Sequence, residues 1–160
     1  MRRTVENRHG NKRRRSAARR RGATLVETAM VVTVFFMLVL GILDFGLGVL
    51  RYHLVDQVAR QCARQAIVHG SMADRLGSWG PGDYSGTGDD SHPIVQSVQS
   101  SLVGLVPSEV QFQIQWIDGS NDVEERVRVT VTAPYQPIMT FIFGNPTLTL
   151  RATSTMPIAH

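Results

Sequence analysis

Few side chains in this sequence stand where chemistry could be done. Cys62 is the only cysteine, so no intramolecular disulfide can form. It lies in QVARQCARQA, where small residues alternate with polar ones, and reads as a small buried helix residue. An intermolecular disulfide would have only the cysteine itself behind it. His9, His53, His69, His92 and His160 are scattered, with no HExxH or paired CxxC spacing, so no metal site is expected. Asp83, Asp89 and Asp90 invite a calcium reading, yet they lack the DxDxDG spacing of a calcium loop and read as part of a solvated linker. No Ser/His/Asp, Cys/His or paired-carboxylate constellation is present, so neither an enzyme nor a cofactor is expected. That leaves Glu27. It follows RRRG and stands a few residues inside the apolar run ATLVETAMVVTVFFMLVLGIL. A carboxylate near the mouth of a membrane helix is costly, so it is a functional candidate by default.

The charge distribution says how that run is placed. Residues 1–22 carry ten Lys/Arg against Glu6, a net +9, whereas the rest of the chain carries seven arginines against twelve acids, a net −5. The overall +4 is therefore a property of the leader, not of the body. A basic run can bind phosphates, but this one has no interleaved aromatics to stack on bases and it abuts an apolar segment. It reads as a cytoplasmic anchor under the positive-inside rule, with no nucleic-acid partner.

Sixteen residues from Thr28 to Leu43 are uncharged, and the 21 from Ala23 to Leu43 are interrupted only by Glu27. About 20 apolar residues cross a bilayer core as one helix. Glu27 and Asp44, 17 residues apart, would be about 25 Å apart along a helix, so both carboxylates could reach towards interfaces. Asp44 is accordingly the candidate membrane-interface residue. Beyond it, Leu54, Val58, Cys62 and Ala66 recur at four-residue steps, joined by Val55, Ala59 and Ile67. That stripe predicts an amphipathic continuation of the same helix to His69-Gly70.

Residues 77–92, rich in glycine, read as a linker without regular structure. Ser91 is the expected cap of a short helix from Pro93 through Ile94, Val98 and Leu102 to Gly104. The last third alternates as β-strands do, over 110–117, 125–133 and 147–155, with Ala133–Pro137 breaking the ladder after the second. Three strands with one apolar face need a cover, and the helix stripe at 54–67 is the candidate. The fold class expected is α+β: a long N-terminal helix, transmembrane in its first half and amphipathic in its second, packed on a small antiparallel sheet. The expected organisation is a basic leader over 1–22, a transmembrane helix over 23–50 and an extracytoplasmic domain over 51–160.

The order of basic tail, Gly22, a short residue, Glu27 and an apolar-then-amphipathic helix resembles the class III signal of type IV pilins and pseudopilins. The block ATLVETAMVVTVFFMLVLGILDFG narrows this to a resemblance to TadE-like proteins of the Tad (tight adherence, Flp) pilus system, through Val26, Glu27, Gly41, Ile42, Asp44, Phe45 and Gly46. The resemblance is strong over residues 20–70; Thr33 stands where relatives often carry proline. It implies a minor pilin or pseudopilin assisting pilus assembly, cut between Gly22 and Ala23 by a prepilin peptidase on the cytoplasmic side. Its partners would be other pilus or pseudopilin subunits and the inner membrane, with the C-terminal domain outside the cytoplasm and incorporation in a fibre left open. By analogy it also implies that Glu27 pairs with the freed amine of Ala23, in its own chain or in a neighbour. An α-amine has a pKa of about 7.7–8.0, so it would be mostly charged at neutral pH. The plain alternative is that Glu27 snorkels to the interface. Two other readings compete: a signal-anchored extracytoplasmic binding domain with no pilus role, and a Sec-exported one cut near Gly46-Leu47-Gly48 to begin at Val49.

Overall fold

The computed structural model describes residues 9–73, 77–139, 144 and 147–159, with backbone alone over 9–21 and at Ala23. The elements are a long helix α1 (His9–Val68), strand β1 (Tyr84–Thr87), a short helix α2 (Pro93–Val98) and strands β2 (Gln111–Trp116), β3 (Arg126–Tyr135) and β4 (Leu148–Pro157). The class is α+β. The chain divides into two compact units, Met1–Leu43 and Asp44–His160.

Within the first unit α1 begins earlier than the sequence predicts. The basic leader, placed ahead of a helix expected to start at Ala23, is itself helical from His9, while residues 1–8 lie outside the described residues. Alanine and arginine are strong helix formers, and this stretch leads without a break into the apolar run. From Thr24 to Val68, 45 residues, the helix is long and apolar enough to cross a membrane. Two hydroxyls in its apolar part are satisfied internally. Thr28 donates to the carbonyl of Thr24 and Thr33 to that of Ala29, each at 2.8 Å. Neither threonine therefore exposes an unpaired donor to a lipid environment.

The second unit has one core. The strands form an antiparallel meander in the order β1-β2-β3-β4, with Phe112 opposite Val131, Ile114 opposite Val129 and Trp116 opposite Val127. Alternation puts Phe112, Ile114, Val127, Val129 and Val131 on one face, all fully buried. That face is covered by α1 through Val55, Val58, Ala59, Cys62, Ala63 and Ala66, joined by Ile94, Val95 and Val98 of α2. The buried positions follow an i, i+3, i+4 pattern, the stripe of a helix lying on a flat surface. Leu54 and Ile67 flank it, half-buried. Small residues at 59, 63 and 66 let the helix sit close to the sheet, and Ser101 Oγ donates to Gln61 Oε1 at 2.7 Å from the side.

Three details depart from the sequence reading. The stretch 77–92 is not all linker: Tyr84–Thr87 is an edge strand paired to β2, with Gly86 opposite Phe112. A Cβ on Gly86 would collide with the Tyr84 hydroxyl and the Asp90 carboxylate, so this glycine answers a packing demand rather than a need for flexibility. The cap of α2 is His92, whose Nδ1 accepts from Ile94 N, rather than Ser91, and the helix ends at Val98 before a single 3-10 turn over Gln99–Ser101. Finally, β3 continues through Pro134 to Tyr135. Its pairing with β2 stops at Thr132, so Pro134 faces only β4, where a missing N–H costs no second ladder bond.

Candidate functional site

Gly22, Ala23 and Glu27 lie within one stretch of α1. Gly22 is exposed, with open space where a Cβ would stand. Glu27 is exposed between Val26 and the apolar surface of Met30, Val31 and Val34. Among the described residues it makes no ion pair. In the uncut chain the nitrogen of Ala23 is an amide, so the cation that the resemblance assigns to Glu27 exists only after cleavage.

Asp44 is built into a different setting. It is 8 % exposed, and its carboxylate accepts three hydrogen bonds: from the Tyr135 hydroxyl at 2.7 Å, Ile138 N at 2.8 Å and Met139 N at 2.9 Å. The Tyr135 hydroxyl also lies 2.9 Å from the Asp44 carbonyl oxygen. Every partner of the carboxylate is a donor, which matches an ionised, acceptor-only group. Sequence reasoning placed Asp44 at a membrane interface; the structure adds that it holds the turn after β3 against α1.

The seat is read along one face of α1. Asp44, Gly48 and Arg51 are spaced i, i+4, i+7 and so share that face. A Cβ on Gly48 would lie 3.3 Å from Tyr135 Cε1, so the glycine lets the ring pack close against the helix. The Arg51 guanidinium stands 5.3 Å from the ring centroid, within cation–π range. Burial raises the Tyr135 phenol pKa, and its hydrogen bond to Asp44 adds to the effect. Gly46, two residues away, has open space around it and takes no part. The sequence reading gave Tyr135 and Arg51 no role, and Gly48 one only as part of a possible cleavage site. The i, i+4, i+7 spacing was a signal on the helix side, but nothing local marked a partner 91 residues away.

The remaining candidates are held by the domain's own donors. Asp90 accepts from the Tyr84 hydroxyl at 2.8 Å and from Thr87 N at 3.1 Å, and these bonds lower its pKa. Asp89 accepts from Thr87 Oγ1 at 2.6 Å and Asp83 from Trp116 N at 3.3 Å. Asp89 and Asp90 thus brace the one turn that follows Thr87, while Asp83 reaches across to β2. His92 stacks on Tyr84 at 4.0 Å, and burial lowers its pKa. Cys62 is buried among the α1 core residues, which pushes its thiol up to about 12. Buried Asn121 ties the loop after α1 together. It accepts from Trp116 Nε1 and donates to the carbonyls of His69 and Trp79.

A helix that is apolar from Thr24 onward and roofs a four-stranded sheet with its last turns defines a small α+β protein with a single candidate membrane span among the described residues. Residues 22–64 match the family model of TadE-like protein, so over that stretch the chain is similar to that family. The match begins at Gly22, includes Glu27, Asp44 and Gly48, and stops before the sheet. No curated protein and no solved structure gives a match.

Proposed function

We propose that this protein is a minor pilin or pseudopilin that assists assembly of a Tad (Flp) type IV pilus, acting structurally rather than as an enzyme. The observation that carries the reading is the TadE-like match, which begins at the residue after which a prepilin peptidase would cut. In this reading the basic leader stays in the cytoplasm and residues 23–50 cross the inner membrane. The α+β domain stands outside, and the partners are the peptidase and other pilus subunits. Cleavage after Gly22 removes the +9 leader and creates an amine at Ala23, one helical turn from Glu27. A carboxylate in lipid is costly unaccompanied, so the amine of a neighbouring subunit, drawn to it, would set the stagger between packed helices.

The Sec-export alternative meets a physical objection. A cut before Val49 would remove Asp44 and Gly48, leaving the Tyr135 hydroxyl and two backbone N–H groups without their acceptor. Co-purification of differently tagged copies, or of other pilus components, from detergent-solubilised membranes tests the proposal. Glu27→Gln should still be inserted and cleaved, because Gly22 and the leader are unchanged and the helix has become easier to insert. Association should be lost, and Glu27→Asp should be intermediate. A Glu27→Gln chain that is cut, inserted and associated at the parental level would leave snorkelling as the role of Glu27.

A further inference from the structure

The Asp44 seat fixes where the turn after β3 lies along α1. Ile138 N and Met139 N bond directly to the carboxylate, so the turn stands at the axial level of Asp44. At that level and beyond it the helix is still apolar and exposed: Phe45 is 75 % exposed, and Leu47, Val49 and Leu50 lie between 40 and 56 %. At about 100° per residue these positions cover more than half of the circumference, leaving only the face of Asp44, Gly48 and Arg51 to the domain. A single protein partner covers one stripe of a helix; an apolar surface on all the remaining sides calls for an apolar solvent. The first residues suited to a polar boundary are Arg51 and Tyr52, about 10 Å further along the axis.

We infer that the turn after β3 is a second membrane contact, in which Ile138 and the start of β4 at Leu148 meet the acyl region of the bilayer beside α1. Ile138 is 57 % exposed and Leu148 50 %, and Leu148 pairs with Tyr135 at the same end of the sheet. Gln136, Pro137, Ile138 and Met139 carry no charge. The clasp explains how a domain edge can enter this zone. The backbone N–H groups of Ile138 and Met139 are already satisfied by Asp44, and Asp44 is satisfied by them, so neither side carries an unpaired polar group into lipid. The domain is thereby held partly sunk in the outer leaflet instead of swinging free on the helix. This inference rests on the membrane reading of α1 proposed above.

The test uses the full chain in vesicles of phosphatidylcholine and phosphatidylglycerol, with and without bromine on the acyl chains. Single cysteines carrying a bimane fluorophore are placed at Ile138, at Leu50 as the helix reference and at Asp122 as the distant reference, beyond the other end of β3. The buried Cys62 leaves the introduced thiol as the reactive one, and the unsubstituted chain is the labelling blank. The expected result is loss of emission in brominated vesicles at 138 comparable to that at 50, with none at 122. Quenching at 50 but not at 138 would leave the membrane reading intact and overturn this one. Absence of quenching at both would overturn the two together. If the 138 label is shielded from bromine and responds instead to the protein-to-lipid ratio, a second copy covers the turn and the lipid assignment is wrong.

Discussion

Burying a charge under the helix roof should dismantle the domain, and Val58 is the place to do it. Val58 is 1 % exposed, on the stripe of α1 that joins the core with Phe112, Ile114 and Val129. Its neighbours on the helix, Ala59, Cys62 and Ala63, are small, so Val55 and Val58 supply most of the apolar bulk there. Val58→Ala removes two carbons, about 1.6 kcal/mol of transfer free energy. A partly collapsed cavity brings the loss to about 2–3 kcal/mol. For a domain of this size each kcal/mol is worth roughly 4–8 °C in melting temperature, so a fall of about 8 °C or more is expected. Val58→Asp puts an uncompensated carboxylate in the same place, costing several kcal/mol against a typical reserve of about 5–15 kcal/mol. It should leave no cooperative transition. The assay is thermal unfolding of the detergent-solubilised full chain followed by tryptophan emission. Trp79 and Trp116, the only tryptophans, both lie outside α1, so the signal reports the domain alone. Arg64→Ala, on the exposed side of the same helix, is the control and should melt with the parent. If Val58→Asp also melts with the parent, α1 does not roof the sheet.

Three further outcomes are expected. Gly48→Leu should force the Tyr135 ring off α1 and lower the melting temperature, whereas Gly46→Ala, with open space around it, should be neutral or slightly stabilising through helix propensity of about 0.5–1 kcal/mol; equal melting of the two would refute the seat. Stability should fall in alkali: burial raises the Cys62 thiol from 9.0 to about 12, so the unfolded chain loses that proton first and the contribution fades as pH climbs from about 9 towards 12. Tyr84, raised from 10.0 to about 12 first by burial and then by its bond to Asp90, acts in the same direction, and melting curves across pH 7–11 that stay flat would contradict both. Replacing Gly22 with a bulky residue should block removal of residues 1–22, read as intact mass with and without a co-expressed prepilin peptidase; removal in its absence would show that some other protease cuts the chain.

How much was legible from the residues differed by element. The path of α1 could be read because two independent patterns, the charge-free run and the four-residue stripe, overlap along one helix. β2 and the first part of β3 alternate cleanly, so their buried faces were evident. β1 was hidden because Gly86, Gly88 and the neighbouring acids look like a solvated linker, although Gly86 is there to clear Tyr84 and Asp90. The extent of β3 was misjudged at Pro134, since the sequence does not reveal that β2 has already ended opposite Thr132. Asp44 was recognised as a position that matters, but its partners are 91 to 95 residues away and two of them are backbone N–H groups, which no side-chain pattern announces. Cys62, by contrast, was placed correctly as a small buried helix residue because its context is local.

The processing of the N-terminus separates the competing readings with one determination. The protein is purified from membranes of cells that possess the pilus system, and its first residue is determined by N-terminal sequencing together with intact mass. Removal of the basic leader after Gly22, so that the mature chain begins at Ala23 with Glu27 as its fifth residue, is the result expected of a TadE-like pilus subunit. A chain that still begins at Met1 would make it a simple anchored domain, and one that begins at Val49 would make it a Sec-exported protein; either would contradict the pilus role proposed here.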